Sequence, residues 1–334
     1  MSGNPPDAET DGRTDTRTLS VPVAFFVFNR PDTTKRVFEQ IRAAEPPELF
    51  VVADGPREAH PDDVENCAAV REIIDGVDWE CAVHRRFREE NVGLPEAVYT
   101  GLDWVFEQVP EAIILEDDTV PNADFFRFCE TMLDRYHGDT RVMMVNGTNR
   151  LETWRDHRQT HHFVTWQDVW GWATWRDAWD EYDPDIEAWG DPEVRDRIRD
   201  HVADEERANY HSNLFDSLYE GGVTGWSRAW RFAMFRNGGL SVMPSRNLVT
   251  NVGFDERGHY TTNPDSPLAG LPRRELPGPV AERSTVVPDR EYERLCFERF
   301  RRTPPVNRYL SLIPNPVFDI VPRRLKNAVA ERIR

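Results

Sequence analysis

The segment Ala112-Ile113-Ile114-Leu115-Glu116-Asp117-Asp118-Thr119-Val120-Pro121 decides how this chain is read. Its apolar part, Ala112–Leu115, is too short for a helix and suits a strand buried on both faces. Three carboxylates follow at once. Like charges crowded at the end of a buried strand repel one another, and a hard divalent cation with oxygen ligands relieves that cost. The triplet equally suits an acidic strand end open to solvent, or the N-terminus of the next helix, which attracts negative charge.

Upstream, Val21–Phe28 is a continuous apolar run with β-branched and aromatic residues, broken by Asn29-Arg30-Pro31-Asp32. A helix pattern covers Thr33–Ala44, with Val37, Phe38 and Ile41 on one face. Leu49–Ala53 reads as a second strand, closed by Asp54-Gly55-Pro56. A helix over 62–75, a strand about Trp79–Val83 and a helix over Leu94–Gln108 follow. Downstream, Asp124–Arg135 reads as a helix and Val142–Val145 as a strand. This alternation predicts βαβ units and an α/β fold with a mostly parallel sheet flanked by helices. Ligands of such sheets bind beyond the carboxyl ends of the strands. Asn29-Arg30, Asp54-Gly55 and Glu116-Asp117-Asp118 all end strands, so the topology predicts that they meet at one edge.

The 334 residues hold ample material for a core, and a net charge of −18 argues against general nucleic-acid binding. Of the 41 basic residues only Lys35 and Lys326 are lysine. An acidic, lysine-poor surface fits a protein of concentrated salt, and it also fits a genome that favours arginine codons. Residues 1–20 are small, polar and acidic and read as a disordered leader with no signal-peptide pattern, which predicts a cytoplasmic protein. Residues 21–150 carry the α/β alternation. Residues 151–262 have a different texture, with seven tryptophans between 154 and 189 and a charged helical stretch over 191–209. Residues 263–334 are rich in proline and arginine and are predicted to wrap the surface. Within them, 299–334 holds nine basic residues against two acids, a net +7 that leaves −25 on residues 1–298. Basic and apolar residues together suit peripheral contact with an anionic membrane, here its inner face; the same tail could pack on the acidic body.

The segment IILEDDTVPNADFFRF resembles the Glu-Asp-Asp segment of the N-acetylglucosaminyltransferase I family, where the triplet plays the part of a DxD motif. VAFFVFNRP, VVADGPR and REENVGLPEAVYTGLDWVF are similar to the same family, and closer to bacterial and archaeal family-2-like sugar transferases related to it. VWGWATWRDAW and NGGLSVMPSRNLVTNVGF are similar to their second half, so the resemblance runs in order over roughly residues 21–260. It implies a GT-A fold, Rossmann-like with an acceptor-side subdomain, and nucleotide-sugar chemistry. By resemblance, Arg30 and Asp54 hold the uracil and ribose of a UDP-sugar, with Asp54 accepting the uracil N–H. Glu116 and Asp117 lie near the donor sugar and ribose. Asp118 is the direct ligand of a divalent metal, Mn2+ or Mg2+. Asn91 and Gly93 form the loop before the helix beside the diphosphate.

Gly171-Trp172 matches a Gly-Trp element below the donor sugar, and an indole face is a reasonable saccharide platform. Yet Trp172, Trp175 and Trp179 at i, i+3 and i+7 also fit the core-facing side of a helix. An inverting transfer needs a carboxylate to deprotonate the acceptor hydroxyl. In the relatives it is an aspartate in Trp-Asp-x-x-Trp; here Trp226-Ser227-Arg228-Ala229-Trp230 puts Ser227 in its place. Asp168, Asp216 and Glu220 are the nearby acids that could substitute. His259 falls about one place early against a histidine that lies near the donor phosphates in relatives, in a segment that reads as a closing lid or as a solvent-exposed loop. The pair His161-His162 has no further ligands at metal-site spacing and reads as structural. Together these features imply an inverting, metal-dependent transferase moving a sugar from a UDP donor to a glycan or lipid-linked acceptor. Two other readings stand beside it. One is a nucleotide-sugar-binding or scaffold protein without catalysis, which Ser227 favours. The other is a metal-dependent nucleotidyltransferase, although Asn29-Arg30-Pro31-Asp32 lacks the glycine-rich phosphate loop such enzymes use.

Overall fold

The computed structural model describes residues 19–202, 204–222, 225–258, 261, 263–281 and 285–300. The apolar runs and the amphipathic stretches between them become β1 (Val23–Val27), α1 (Pro31–Ala44), β2 (Glu48–Ala53), α2 (Asp62–Ile74), β3 (Ala82–Phe87), α3 (Leu94–Phe106) and β4 (Glu111–Glu116). A short β5 (Thr119–Pro121), α4 (Ala123–Tyr136) and β6 (Val142–Asn146) complete the first half. The second half adds β7 (His161–Val164), β8 (Trp172–Trp175), α5 (Arg176–Trp179), α6 (Pro192–Val202), α7 (Glu205–Tyr219), α8 (Trp226–Arg236), β9 (Leu240–Pro244) and β10 (Val249–Asn251).

Eight strands form one sheet in the order β3-β2-β1-β4-β8-β6-β9-β7. The neighbours β3, β2, β1 and β4 are parallel, β8 runs antiparallel to both β4 and β6, and β9 is parallel to β6. This is the α/β architecture that the alternating pattern predicts. Side chains alternate across the sheet because the strand period is two. Val23, Phe25 and Val27 join the core beneath α1, α2 and α4, while Ala24 and Phe26 join the core beneath α3 and α8. A third cluster around Trp189, Phe215 and Phe232 holds α6, α7 and α8 together.

β3 begins at Ala82, later than the predicted 79–83. The Trp79 indole donates to the Pro46 carbonyl at 2.9 Å, and ladder pairing starts only with Ala82 N–H on Pro47. The charged stretch 191–209 is two helices, because the Asp204 side chain accepts the Arg207 N–H and starts α7 afresh. Trp172 and Trp175 do not share a helix face. They lie in β8 and point to opposite sides of the sheet, into separate cores. The change of texture at residue 150 is not a break in the sheet, since β8 inserts between β4 and β6.

The leader lies outside the described residues apart from its end, where Leu19 is buried and Ser20 bonds to Glu130. Residues 263–281 do run over the body. Arg273 donates to the Pro121 carbonyl and the Leu276 N–H to Asp124. Residues 290–334 form a second unit, described only as α9 (Arg290–Phe300). The basic segment 299–334 lies outside the described residues except for Arg299 and Phe300. Among the described residues no helix is long and apolar enough to cross a membrane.

Candidate functional site

The carboxyl ends of β2, β1 and β4 are neighbours in the sheet, so the three polar strand ends meet as the topology predicts. At the end of β4 the Asp117 carboxylate accepts the Phe28 N–H at 3.1 Å, which ties the acidic turn to the end of β1. Asp118 accepts from the Arg30 guanidinium at 3.1 Å and from the Asn251 amide at 3.4 Å. Asn251 reaches it because β10 pairs antiparallel with β5, setting Asn251 opposite Thr119. Gly253 then lies against the Asp118 carboxylate; a Cβ there would fall 2.0 Å from Oδ2, so no side chain fits.

Burial raises all three carboxyl pKa values, and repulsion within the triplet adds to it for Glu116 and Asp117. Burial is the larger cause for Glu116, held well above its usual range, with Asp118 and Asp117 adding to it. Asp117 is pushed up to about 7 by burial and then by Asp118, against the pull of Arg30. Asp118 is also raised by burial, opposed by Arg30. These are the stressed charges that the motif implies.

The segment 252–258 is strapped across this edge. Arg257 makes two bonds to Asp32 at the start of α1, at 2.9 and 3.0 Å, and a further one to Asp255 at 2.7 Å. Arg30 adds a bond of 2.7 Å to the Arg257 carbonyl. His259 follows directly but lies outside the described residues. Beside the strap is a cleft of about 440 Å³ lined by Asn29, Asp32, Arg57, His60, Asp63 and Arg257. Asp63 fastens its walls, accepting from Asn29 at 2.6 Å and from Arg57 at 2.6 and 3.0 Å. The Arg57 bonds, chiefly, hold the Asp63 carboxyl down at about 2.

Asp54 does not stand open to a nucleobase. Its carboxylate accepts four bonds, from Gly55 N–H and Val92 N–H on one oxygen and from the Asn91 amide and Gly93 N–H on the other, all between 2.9 and 3.1 Å. Four donors fill the lone pairs of a carboxylate. Asp54 therefore anchors the loop before α3, and Asn91 and Gly93 are its partners. Gly55 is required for the same closure, since a Cβ would fall 2.4 Å from the Glu90 backbone.

Trp172 is not an exposed sugar platform. It is fully buried in β8 and packs on Trp179, Trp226 and Trp230. Asp168 is also buried, ion-paired to Arg150, with its N–H on the Asn146 side chain. Asp216 accepts from the Trp189 indole and Arg195 within the α6–α7 layer, and Glu220 is exposed at the end of α7. Ser227 lies in the first turn of α8, half-buried, and its carbonyl accepts from Gln167 at 2.6 Å. The structure thus joins Arg30 to Glu116-Asp117-Asp118, joins Asp54 to Asn91 and Gly93, and leaves Asp216 and Glu220 apart from both.

No family model matches the chain. No curated protein matches it either. Solved structures similar to it include a UDP-glucose pyrophosphorylase complexed with UDP-glucose, at 10% identity and TM-score 0.33 over 68% of this chain and 91% of that one. Another is 4-diphosphocytidyl-2C-methyl-D-erythritol synthase from Anaerococcus prevotii, at 9% identity and TM-score 0.31 over 47% of this chain and 72% of that one. The bifunctional glycosyltransferase WbbM is similar at 8% identity and TM-score 0.33, over 67% of this chain and 38% of that one. Likenesses this distant leave the site to be read from its own geometry.

Among the described residues no group of three or more His, Cys, Asp or Glu side chains converges as a ready-made metal cage. The donor set still fits a hard cation of the kind that binds through one or two carboxylates and fills its shell with water and phosphate oxygens. Asp118 would offer the oxygen, and a cation there would offset the burial that raises its pKa. Asp63, Asn251 and Arg257 at this edge, and Arg150 as the ion-pair partner of the predicted Asp168, are residues that sequence reasoning did not single out. Asn251 and Arg257 carry a signal, since they lie in the polar segment 247–261 that the sequence singles out; Asp63 looks like any helix-start acid.

Proposed function

We propose that this chain is a GT-A-like glycosyltransferase that takes a UDP-linked sugar with a divalent cation at Asp118 and transfers the sugar to a glycan or lipid-linked acceptor with inversion. The observation that carries the reading is the crease at the ends of β1 and β4, where Arg30 meets a half-buried carboxylate triplet beside an open cleft. The cleft walls, fastened by Asp63, receive the nucleoside, and Arg57 lies over the Phe28 ring at 5.3 Å to give that wall a flat, cationic surface. Arg30 exchanges Asp118 for the donor diphosphate. Asp54 keeps the loop before α3 closed so that its backbone faces the same edge. Manganese or magnesium bound there would neutralise charge on the departing diphosphate.

Asp168, tied to Arg150, and Ser227, a hydroxyl, are poor general bases as they stand. That observation favours a second reading, a protein that holds the nucleotide sugar without turning it over. Incubation with a panel of UDP-sugars and Mn2+, with and without saccharide acceptors, separates the two by release of UDP. Binding without release supports the second reading, and no binding of any UDP-sugar removes both. Pyrophosphate exchange with UTP and a sugar 1-phosphate would instead mark a nucleotidyltransferase. In the same assay Asp118→Ala is expected to lower Mn2+-dependent UDP-sugar affinity by about 100-fold; unchanged affinity removes the metal assignment.

A further inference from the structure

Between the donor edge and Ser227 lies a buried charge cluster that the donor reading does not use. Arg150 and Arg231 are 6% and 7% exposed. Their guanidinium groups lie over the same ring, that of Trp166, at 5.3 and 5.8 Å from its centroid. The carboxylate beside them is Asp168, and it is ion-paired to Arg150. Arg231 has no ion pair of its own among the described residues; its Nε donates to the Gln167 amide oxygen at 2.7 Å, and its guanidinium also bonds to the Tyr210 hydroxyl, both neutral partners. Burial first, and then Arg150, press its pKa down, while Tyr210 and Asp168 oppose them. A guanidinium carries five donors in a fixed fork, and a buried one is stable only when oxyanions and acceptors fill them.

The position of the cluster gives it a use. Gln167 bonds at once to Arg231 and to the Ser227 carbonyl, and Ser227 and Arg231 are four apart on one side of α8. In the other direction Arg150 lies 5.5 Å from the Trp170 ring, and Trp170 meets Phe254 edge-on at 5.6 Å. Phe254 follows Gly253, the residue pressed on Asp118. The two arginines therefore connect the acceptor-side serine to the donor carboxylate through two ring contacts.

We propose that Arg231, with Arg150 beside it, recognises an oxyanion on the acceptor, the carboxylate of an acidic sugar or the phosphate of a lipid-phosphate. The proposal rests on the glycosyltransferase reading for the word acceptor, but the anion site itself does not. Carboxylate and phosphate both take paired N–H bonds from a guanidinium, whereas a neutral hydroxyl does not balance its charge.

The test titrates the full chain with sodium glucuronate, with sodium methyl phosphate and with glucose at constant ionic strength, following the Trp166 indole N–H resonance. Saturable shifts are expected with at least one anion below about 100 mM and none with glucose. The anion that saturates identifies the source. Arg231→Met is expected to weaken binding by at least about tenfold, while Arg231→Lys keeps part of it. Absence of binding by both anions, a shift that spares Trp166, or equal binding by Arg231→Met overturns the proposal. If Arg231→Met does not fold, the wild-type titration at Trp166 decides. Anion binding without UDP-sugar turnover would leave this site standing and remove the transferase reading; turnover without anion binding does the reverse.

Discussion

The carboxyl edge of the sheet and the tryptophan-rich region assemble their charges differently. At the sheet edge each group follows directly on the strand that carries it: Arg30 just past β1, Asp54 after β2, and Glu116-Asp117-Asp118 at the end of β4. Parallel pairing alone brings them together, and three carboxylates share one nearby guanidinium. Around Trp166 the partners come from two loops and a helix, and Arg150, Asp168, Gln167 and Arg231 meet only because β8 threads between β4 and β6. The first region is charged and stressed at an open edge; the second pairs its charges within a layer of buried indole rings. Substitution at the edge should therefore change binding with little cost in folding, and substitution of the buried indoles packed around Trp172 should do the opposite.

The largest effect expected is on stability at Trp172. Trp172→Ala removes a fully buried indole from a cluster of four rings, Trp172, Trp179, Trp226 and Trp230. A loss of about 3–5 kcal/mol in urea unfolding is expected. A loss near zero would make Trp172 a surface platform again and break the contrast between the regions.

Asp54 sharpens the contrast from the other side. Asp54→Asn keeps the shape but sets an amide N–H against backbone N–H donors that now face a carboxylate oxygen. A loss of about 1–3 kcal/mol is expected, seen locally as faster amide exchange at Val92 and Gly93. If exchange there does not change while uracil binding falls, Asp54 touches the base after all.

A smaller, pH-dependent effect belongs to His161 in β7. Burial, reinforced by Arg135, holds its imidazole at about 4, below the usual 6.5, with the Tyr136 and Thr160 hydroxyls 3.3 Å from its ring nitrogens. The folded protein keeps it neutral where the unfolded chain would take a proton. Its contribution is complete above pH 6.5 and is lost as pH falls toward 4, by up to about 1.4 kcal/mol per unit. Unfolding curves across that range should flatten in His161→Gln; an unchanged slope would place the acid sensitivity elsewhere.

Much of the first half was legible. The buried-strand composition of 23–27 and 111–116 and the helical spacing of 94–106 are local properties, so element type and the shared edge followed from them. The second half was less legible for a physical reason. Trp172-Ala173-Thr174-Trp175 satisfies a helical period as well as a strand, and only its ladders with β4 and β6 choose the strand. The same ladders bury Trp172 and so cancel the role that an exposed indole would have.

By itself the sequence determined an α/β chain, a carboxylate triplet ending a buried strand, and an acidic body, because these depend on neighbours along the chain. Tertiary structure alone decided that Asp54 is consumed by its own loop, that Gly253 and Arg257 close over Asp118, and that Arg150 and Arg231 share one indole. Each of those depends on groups tens to hundreds of residues apart, and no local period or propensity encodes which of a carboxylate's lone pairs, or a guanidinium's donors, a distant segment will fill.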